Sequence, residues 1–126
     1  MYATVKDFVL RIGEFQAIQL TDRDREGVVN ESLLTIALSD STSQIDGYLS
    51  ARYRLPLPTI PQNLTRICCD LTRYRLASMS EVTITDEIIT RYKLSLKELE
   101  DLAAGKISLG IDIEDDQQSD GNVVMA

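Results

Sequence analysis

Apolar residues recur along this chain at the three-and-four spacing of an α-helix, and polar punctuation divides them into separate stretches. In the first stretch Val5, Phe8, Val9 and Ile12 share one helical face. Thr4 with Asp7 three residues on is a variant of the capping box, and Gly13 is a good stop, so residues 5–12 are predicted to be a helix. Residues 14–20 are predicted to be a second short turn or helix, with Phe15 and Ile18 inward. A polar loop, TDRDREG, occupies 21–27. Asn30 then caps a long helix over about 31–53, whose buried stripe is Leu33, Leu34, Ala37, Leu38, Ile45, Tyr48 and Leu49. Gly47 sits within that stripe, where glycine costs up to ~1 kcal/mol relative to alanine. The expected reason is close approach by a neighbouring helix.

Pro56, Pro58 and Pro61 end the long helix. Each fixes its own φ and moves the preceding residue out of the α region, so Leu55, Leu57 and Ile60 are expected on a rigid connector that packs against the domain. A further helix is predicted over 62–79, with Leu64, Ile67, Cys68, Leu71 and Arg75 along one stripe. Thr85 caps another over 86–104, with Ile88, Ile89, Tyr92, Leu96, Leu99, Leu102 and Ala103 inward and Gly105–Lys106 as its stop. Ile107, Leu109, Ile111 and Ile113 alternate with polar residues, which reads as a strand or as an extended arm reaching another subunit. From Glu114 onward the chain is polar and acidic, and disorder is expected. The pattern describes an all-α protein: a compact bundle of four to five helices within residues 1–111, then an extended arm and an acidic flexible tail over 112–126.

Length and composition narrow the class. The 126 residues suit one hydrophobic core. No apolar run approaches the roughly 20 residues needed to span a bilayer. Residues 1–10 carry Lys6 and Asp7 and lack the apolar core of a signal peptide, so a cytoplasmic location is expected. Histidine is absent, which removes a His-dependent triad and the usual His-containing zinc sites. The two cysteines, Cys68 and Cys69, are adjacent. They read as small buried residues in a reducing compartment rather than as a disulfide or a ligand pair.

The net charge of −7 is uneven. Residues 52–75 hold five arginines, Arg52, Arg54, Arg66, Arg73 and Arg75, against the single acid Asp70. Residues 112–126 hold five acids and no base. The overall balance argues against general nucleic-acid binding, which relies on neutralising phosphates. The arginines have two readings. They pair with Asp46, Asp70 and other carboxylates on helix surfaces, Asp70 and Arg73 being spaced to pair within one helix; or they face an acidic partner. Tyr48, Tyr53, Tyr74 and Tyr92 read as anchors at the core edge.

The acidic loop bears comparison with an EF-hand. Asp22, Asp24 and Glu26 occupy its first, third and fifth positions, Gly27 the sixth and Asn30 the ninth. The twelfth is Leu33, where a bidentate glutamate is required, so the calcium candidate is incomplete. The plainer reading is an Asp-rich turn placing carboxylates at the positive end of the next helix. No glycine-rich phosphate loop appears, and the carboxylate pairs Glu100–Asp101 and Asp115–Asp116 are consecutive and splay apart. No catalytic site and no cofactor are expected.

Four segments stand out together: LTDRD at 20–24, IDGYLSARYRLPL at 45–57, CDLTRYRL at 69–76 and LAAGKISLG at 102–110. In order and spacing, from Tyr2 to Gly110, they resemble the small structural protein of Mu-like phages and prophages encoded near the major head protein. The sparse aromatic content and the long acidic tail depart from that family's usual pattern. The resemblance implies a helical head–tail connector that forms a ring beneath the portal and offers a surface to the next neck or tail component. DNA would pass through such a ring without being bound specifically. The expected location is then the virion, and the host cytoplasm during assembly. Arg52, Arg54, Arg66, Arg73, Arg75, Lys106, Ile107 and Leu109 are the candidate partner-binding residues. Two other readings follow from the residues: a small regulator binding nucleic acid or a host protein through the arginines, and a calcium-responsive module at Asp22–Asn30.

Overall fold

The computed structural model describes residues 1–80 and 82–111. They form five helices and, among the described residues, no strand: α1 (Val5–Ile12), α2 (Glu14–Thr21), α3 (Glu31–Leu49), α4 (Gln62–Ser78) and α5 (Asp86–Ala103). The acidic tail expected over 112–126 lies outside the described residues.

The helix starts follow from their caps. At α1 the Thr4 hydroxyl accepts from the Asp7 N–H at 3.0 Å while the Asp7 carboxylate accepts from the Thr4 N–H at 2.9 Å. Asn30 accepts from the Leu33 N–H at 3.1 Å and Thr85 from the Ile88 N–H at 3.2 Å. Each satisfies an amide that the helix itself leaves unbonded. Gly13, at φ +91°, ends α1 and starts α2 in a single residue, a conformation costly for any side chain.

Helices α3, α4 and α5 pack on one another, and α1 and α2 pack across α3 and α4. Their shared core includes Phe8, Leu34, Leu38, Ile45, Leu49, Leu64, Ile67, Leu71, Leu76, Leu99 and Leu102, all buried. Cys68 and Cys69 are buried free thiols within it. Of the four polar side chains buried among the described residues, Thr21, Ser41, Thr72 and Ser95, two meet: Thr72 donates to the Ser41 hydroxyl at 2.9 Å, so each answers the other's burial. Ahead of α1, Tyr2 and Ala3 are also buried. The Tyr2 N–H donates to Thr42, its carbonyl accepts from Thr65 at 2.8 Å, and its hydroxyl donates to Asp46. These contacts strap the leading segment onto α3 and α4.

Several details correct the sequence reading. Phe15 is 75% exposed, because α2 buries Ala17, Leu20 and Thr21 instead. Helix α3 stops at Leu49 rather than Tyr53: residues 50–53 form a turn in which the Arg52 and Tyr53 amides return to Leu49. Gly47 is exposed, and a Cβ built there would meet nothing within 4 Å, so no helix approaches it. Within the connector Leu55 and Leu57 are half-buried but Ile60 is exposed.

Candidate functional site

The five arginines of residues 52–75 divide in two. Three sit on α4 and are engaged inside the fold. Arg66 donates to both oxygens of Glu98 on α5, at 3.0 and 2.8 Å, and lies 3.9 Å from Asp70. Arg73 forks onto Glu87 of α5 at 3.0 and 3.2 Å, and its Nε donates to Gln16 of α2 at 2.6 Å. Arg75 donates to Gln44 of α3 at 2.8 Å. The planar guanidinium suits such bridges, since its rigid fork holds a carboxylate in register. The other two, Arg52 and Arg54, are exposed in the turn after α3, with the Arg52 guanidinium lying against Gly105.

Asp46 accepts from Tyr2, and Asp70 pairs with Arg66, one helical turn earlier, rather than with Arg73, because Arg73 reaches across to Glu87. Ser95 of α5 also donates to Asp70, at 3.1 Å.

These exchanges surround a cleft of about 370 Å³ where α1, α4 and α5 converge. Arg11, Arg66, Arg73 and Arg91 line it together with Asp70, Glu87, Ile12 and Cys69. Arg91 donates to Glu87 at 2.8 Å, so one carboxylate bridges two guanidiniums. Hydrogen bonds from Arg73 and then Arg91 hold the Glu87 carboxyl down at about 2. Asp70 moves the opposite way, because its burial outweighs the help of Ser95 and Arg66. Burial likewise pushes the Cys69 thiol up to about 12, which makes it a poor nucleophile. The sequence signals only part of this cleft. Glu87 and Arg91 are one turn apart and so readable as a pair, whereas Arg11 and the Arg73–Glu87 bridge come together only when three helices meet.

The acidic loop is organised around its own backbone. The Asp22 carboxylate accepts from the Glu26 and Gly27 amides at 2.8 and 2.7 Å, and Thr21 accepts from the Asn30 amide. With Asn30 engaged as the α3 cap, two of the four candidate calcium ligands are occupied by amides. Asp22 turns its charge toward the loop rather than toward the start of α3. Among the described residues no group of three or more acidic or cysteine side chains is placed to hold a metal ion.

At the far end, α5 closes with a Schellman motif: the Gly105 amide donates to Leu102 and the Lys106 amide to Asp101, with Gly105 at φ +77°. Lys106 and Ile107 are exposed. Leu109 is buried, and its N–H donates to the Tyr53 hydroxyl at 3.1 Å, so at this residue the arm folds back onto its own domain.

With that geometry in place, comparison with known proteins gives a direct result. The profile of the family described as "Bacteriophage Mu, Gp36" matches residues 2–126. The chain belongs to this Mu Gp36 family. The matched range runs past Gly110, where the sequence resemblance stopped, and includes the acidic segment. Among curated Gp36-type relatives, the chain is 37% identical over 97 residues to Mu-like prophage FluMu protein gp36 of Haemophilus influenzae, covering 77% of this chain and 67% of that protein. It is 33% identical over 112 residues to Gene product J of Escherichia phage Mu, covering 88% and 77%. This member of the Mu Gp36 family is thus a Mu-like phage protein with an all-helical fold. Among its described residues no helix is long and apolar enough to cross a membrane.

Proposed function

We propose that this Gp36-family protein is a virion component, a head–tail connector of the phage neck that assembles as a ring beneath the portal. The observation that carries this reading is the exposure of large apolar side chains around a core that is already filled. Leu10 is 73% exposed, Phe15 75%, Ile36 60% and Leu94 63%. Single exposed leucines are common on any protein. Phe15 is different, because an aromatic ring offers a large apolar area to bury and aromatic residues are enriched at the cores of protein interfaces. A phage protein that presents such groups from α1, α2, α3 and α5 is suited to meeting neighbours on several sides. Its partners in this reading are further copies of itself, the portal, and the adjacent neck or tail protein. No cofactor and no catalysis are part of it.

The alternative of a nucleic-acid or host-protein regulator relied on five arginines acting together. Three of them, Arg66, Arg73 and Arg75, are engaged within the fold, which leaves that reading less to work with.

Cryo-electron microscopy of the neck in purified virions tests the proposal. Density for this chain in a rotationally symmetric ring, with Phe15 in a contact, is the expected result. Absence of the protein from purified virions would overturn it. Because a cyclic contact can be weak without its template, the oligomeric state of the isolated chain does not decide the matter.

A further inference from the structure

Two apolar features of this fold have complementary shapes. One is the protruding ring of Phe15 on α2, with the exposed Arg11 four residues before it. Arg11 has no hydrogen-bonded or ion-paired partner among the described residues. The other is a groove of about 390 Å³ between the leading segment, α3 and the proline-rich connector. Met1, Leu55, Leu57 and Ile60 supply its apolar lining, and Met1 and Ile60 are exposed there. Asp46 supplies its charge. That carboxylate accepts from the Tyr2 hydroxyl, and no cation pairs with it among the described residues. A carboxylate has about four acceptor sites, so one tyrosine leaves most of its capacity unused.

Within one chain the two features stand apart. The groove lies at the start of α4: Ile60 directly precedes the Pro61 cap, and Thr65 donates to the Tyr2 carbonyl. Phe15 lies farther along the same helix. Its neighbour Gln16 is bonded by Arg73, eleven residues after Gln62, or about 16 Å at 1.5 Å per residue. A ring needs this separation. Its interface is head-to-tail, so each copy must offer two different patches, one to each neighbour. The charges agree with the shapes, because the cation Arg11 accompanies the knob and the anion Asp46 the groove. Such opposition steers two surfaces together and fixes their register. An aromatic ring seated in an apolar pocket is the usual anchor of an interface. A second copy of this chain supplies both halves of the match.

We propose that Phe15 of one copy fills the Met1–Leu55–Leu57–Ile60 groove of the next, with Arg11 of the first copy on Asp46 of the second. Each copy then gives its aromatic ring to one neighbour and receives a ring from the other. This inference rests on the connector reading and names the contact that builds the ring.

Photo-crosslinking in assembled phage particles tests it. The aromatic photocrosslinker p-benzoylphenylalanine replaces Phe15 in the full-length chain, particles are purified and irradiated, and adducts are mapped by mass spectrometry. The expected adducts are on Met1, Leu55, Leu57 or Ile60 of another copy. Because every copy both gives and receives, denaturing gels should show a ladder beyond the dimer. A second probe, placed instead at Ile60, reads the same contact from the groove side and should mark Phe15 or its neighbours. It also serves if the bulkier ring at position 15 keeps the chain out of particles. Adding Arg11→Gln, at an exposed position, should lower the adduct yield by roughly threefold, the loss of one ion pair at the rim. If neither probe joins Phe15 to the groove of another copy in particles that contain the chain, this contact is overturned and the connector reading stands. A ladder that stops at two copies would also overturn it, because the contact would then be a closed pair. Absence of the natural chain from particles would remove both readings.

Discussion

Glu87 shows how one exposed side chain organises its surroundings. It is half-exposed, yet two guanidiniums from different helices converge on it, and its carboxyl stays ionised down to about 2. An unfolded glutamate titrates near ~4.3. Because the folded value is the lower, Glu87 stabilises the fold above the unfolded value, and that contribution disappears as pH falls through the window down to about 2. Exposure keeps it small, a few tenths of a kcal/mol. Thermal melts of the protein and of Glu87→Gln should therefore differ slightly at neutral pH and converge near pH 2; a gap unchanged by acid would show that the bridge does not form. Asp70, raised by burial in the same cleft, has the opposite sign: its contribution favours the fold at low pH and is lost as pH rises through its folded value. The sequence shows that both acids exist but not that their environments diverge. That divergence comes from Arg73 crossing to bond Glu87 while burial penalises the Asp70 charge, and no local spacing encodes either. Phe15 was misplaced for a similar reason: in so short a helix, Ala17 and Leu20 fill the inward face by themselves.

Helix starts were the most legible features. Thr4, Asn30 and Thr85 each cap the helix that their spacing announces, because capping is chemistry within three residues and needs no tertiary partner. Glycines were harder to read, since a glycine signals either an unusual φ or a close neighbour, and only the folded chain shows which. Gly47 has neither, so Gly47→Ala should stabilise the protein by about 0.5–1 kcal/mol through helix propensity alone. Gly105 has both: φ is +77°, and an added Cβ would lie 2.7 Å from the Arg52 guanidinium. Gly105→Ala should cost about 1 kcal/mol or more. Urea unfolding of the two variants should move the midpoint in opposite directions, and a shift of the same sign would refute this account of the α5 terminus. Polar burial was half legible. Ser41 fills the gap in the α3 stripe between Leu38 and Ile45, and Thr72 lies one turn after Cys68, but nothing in the pattern shows that the two hydroxyls meet at the centre of the bundle.

At the scale of the whole molecule, the bundle closes through a residue that precedes its first helix. Tyr2 is nearly sealed from water by bonds to α3 and α4. Tyr2→Ala should lower stability by about 3 kcal/mol, as truncating a buried aromatic ring does, while Tyr2→Phe should keep most of it. Equilibrium denaturation compares the two, and a loss below about 1 kcal/mol for the alanine variant would remove Tyr2 from the core. Nothing in the residue pattern announces this, because a lone tyrosine outside any periodic stretch carries no directional signal. Its position also has a bearing on biosynthesis. Thr65, which secures Tyr2, follows it by 63 residues. The leading segment therefore emerges from the ribosome well before its berth exists, and waits, available to chaperones, until the 63 residues up to Thr65 have followed it.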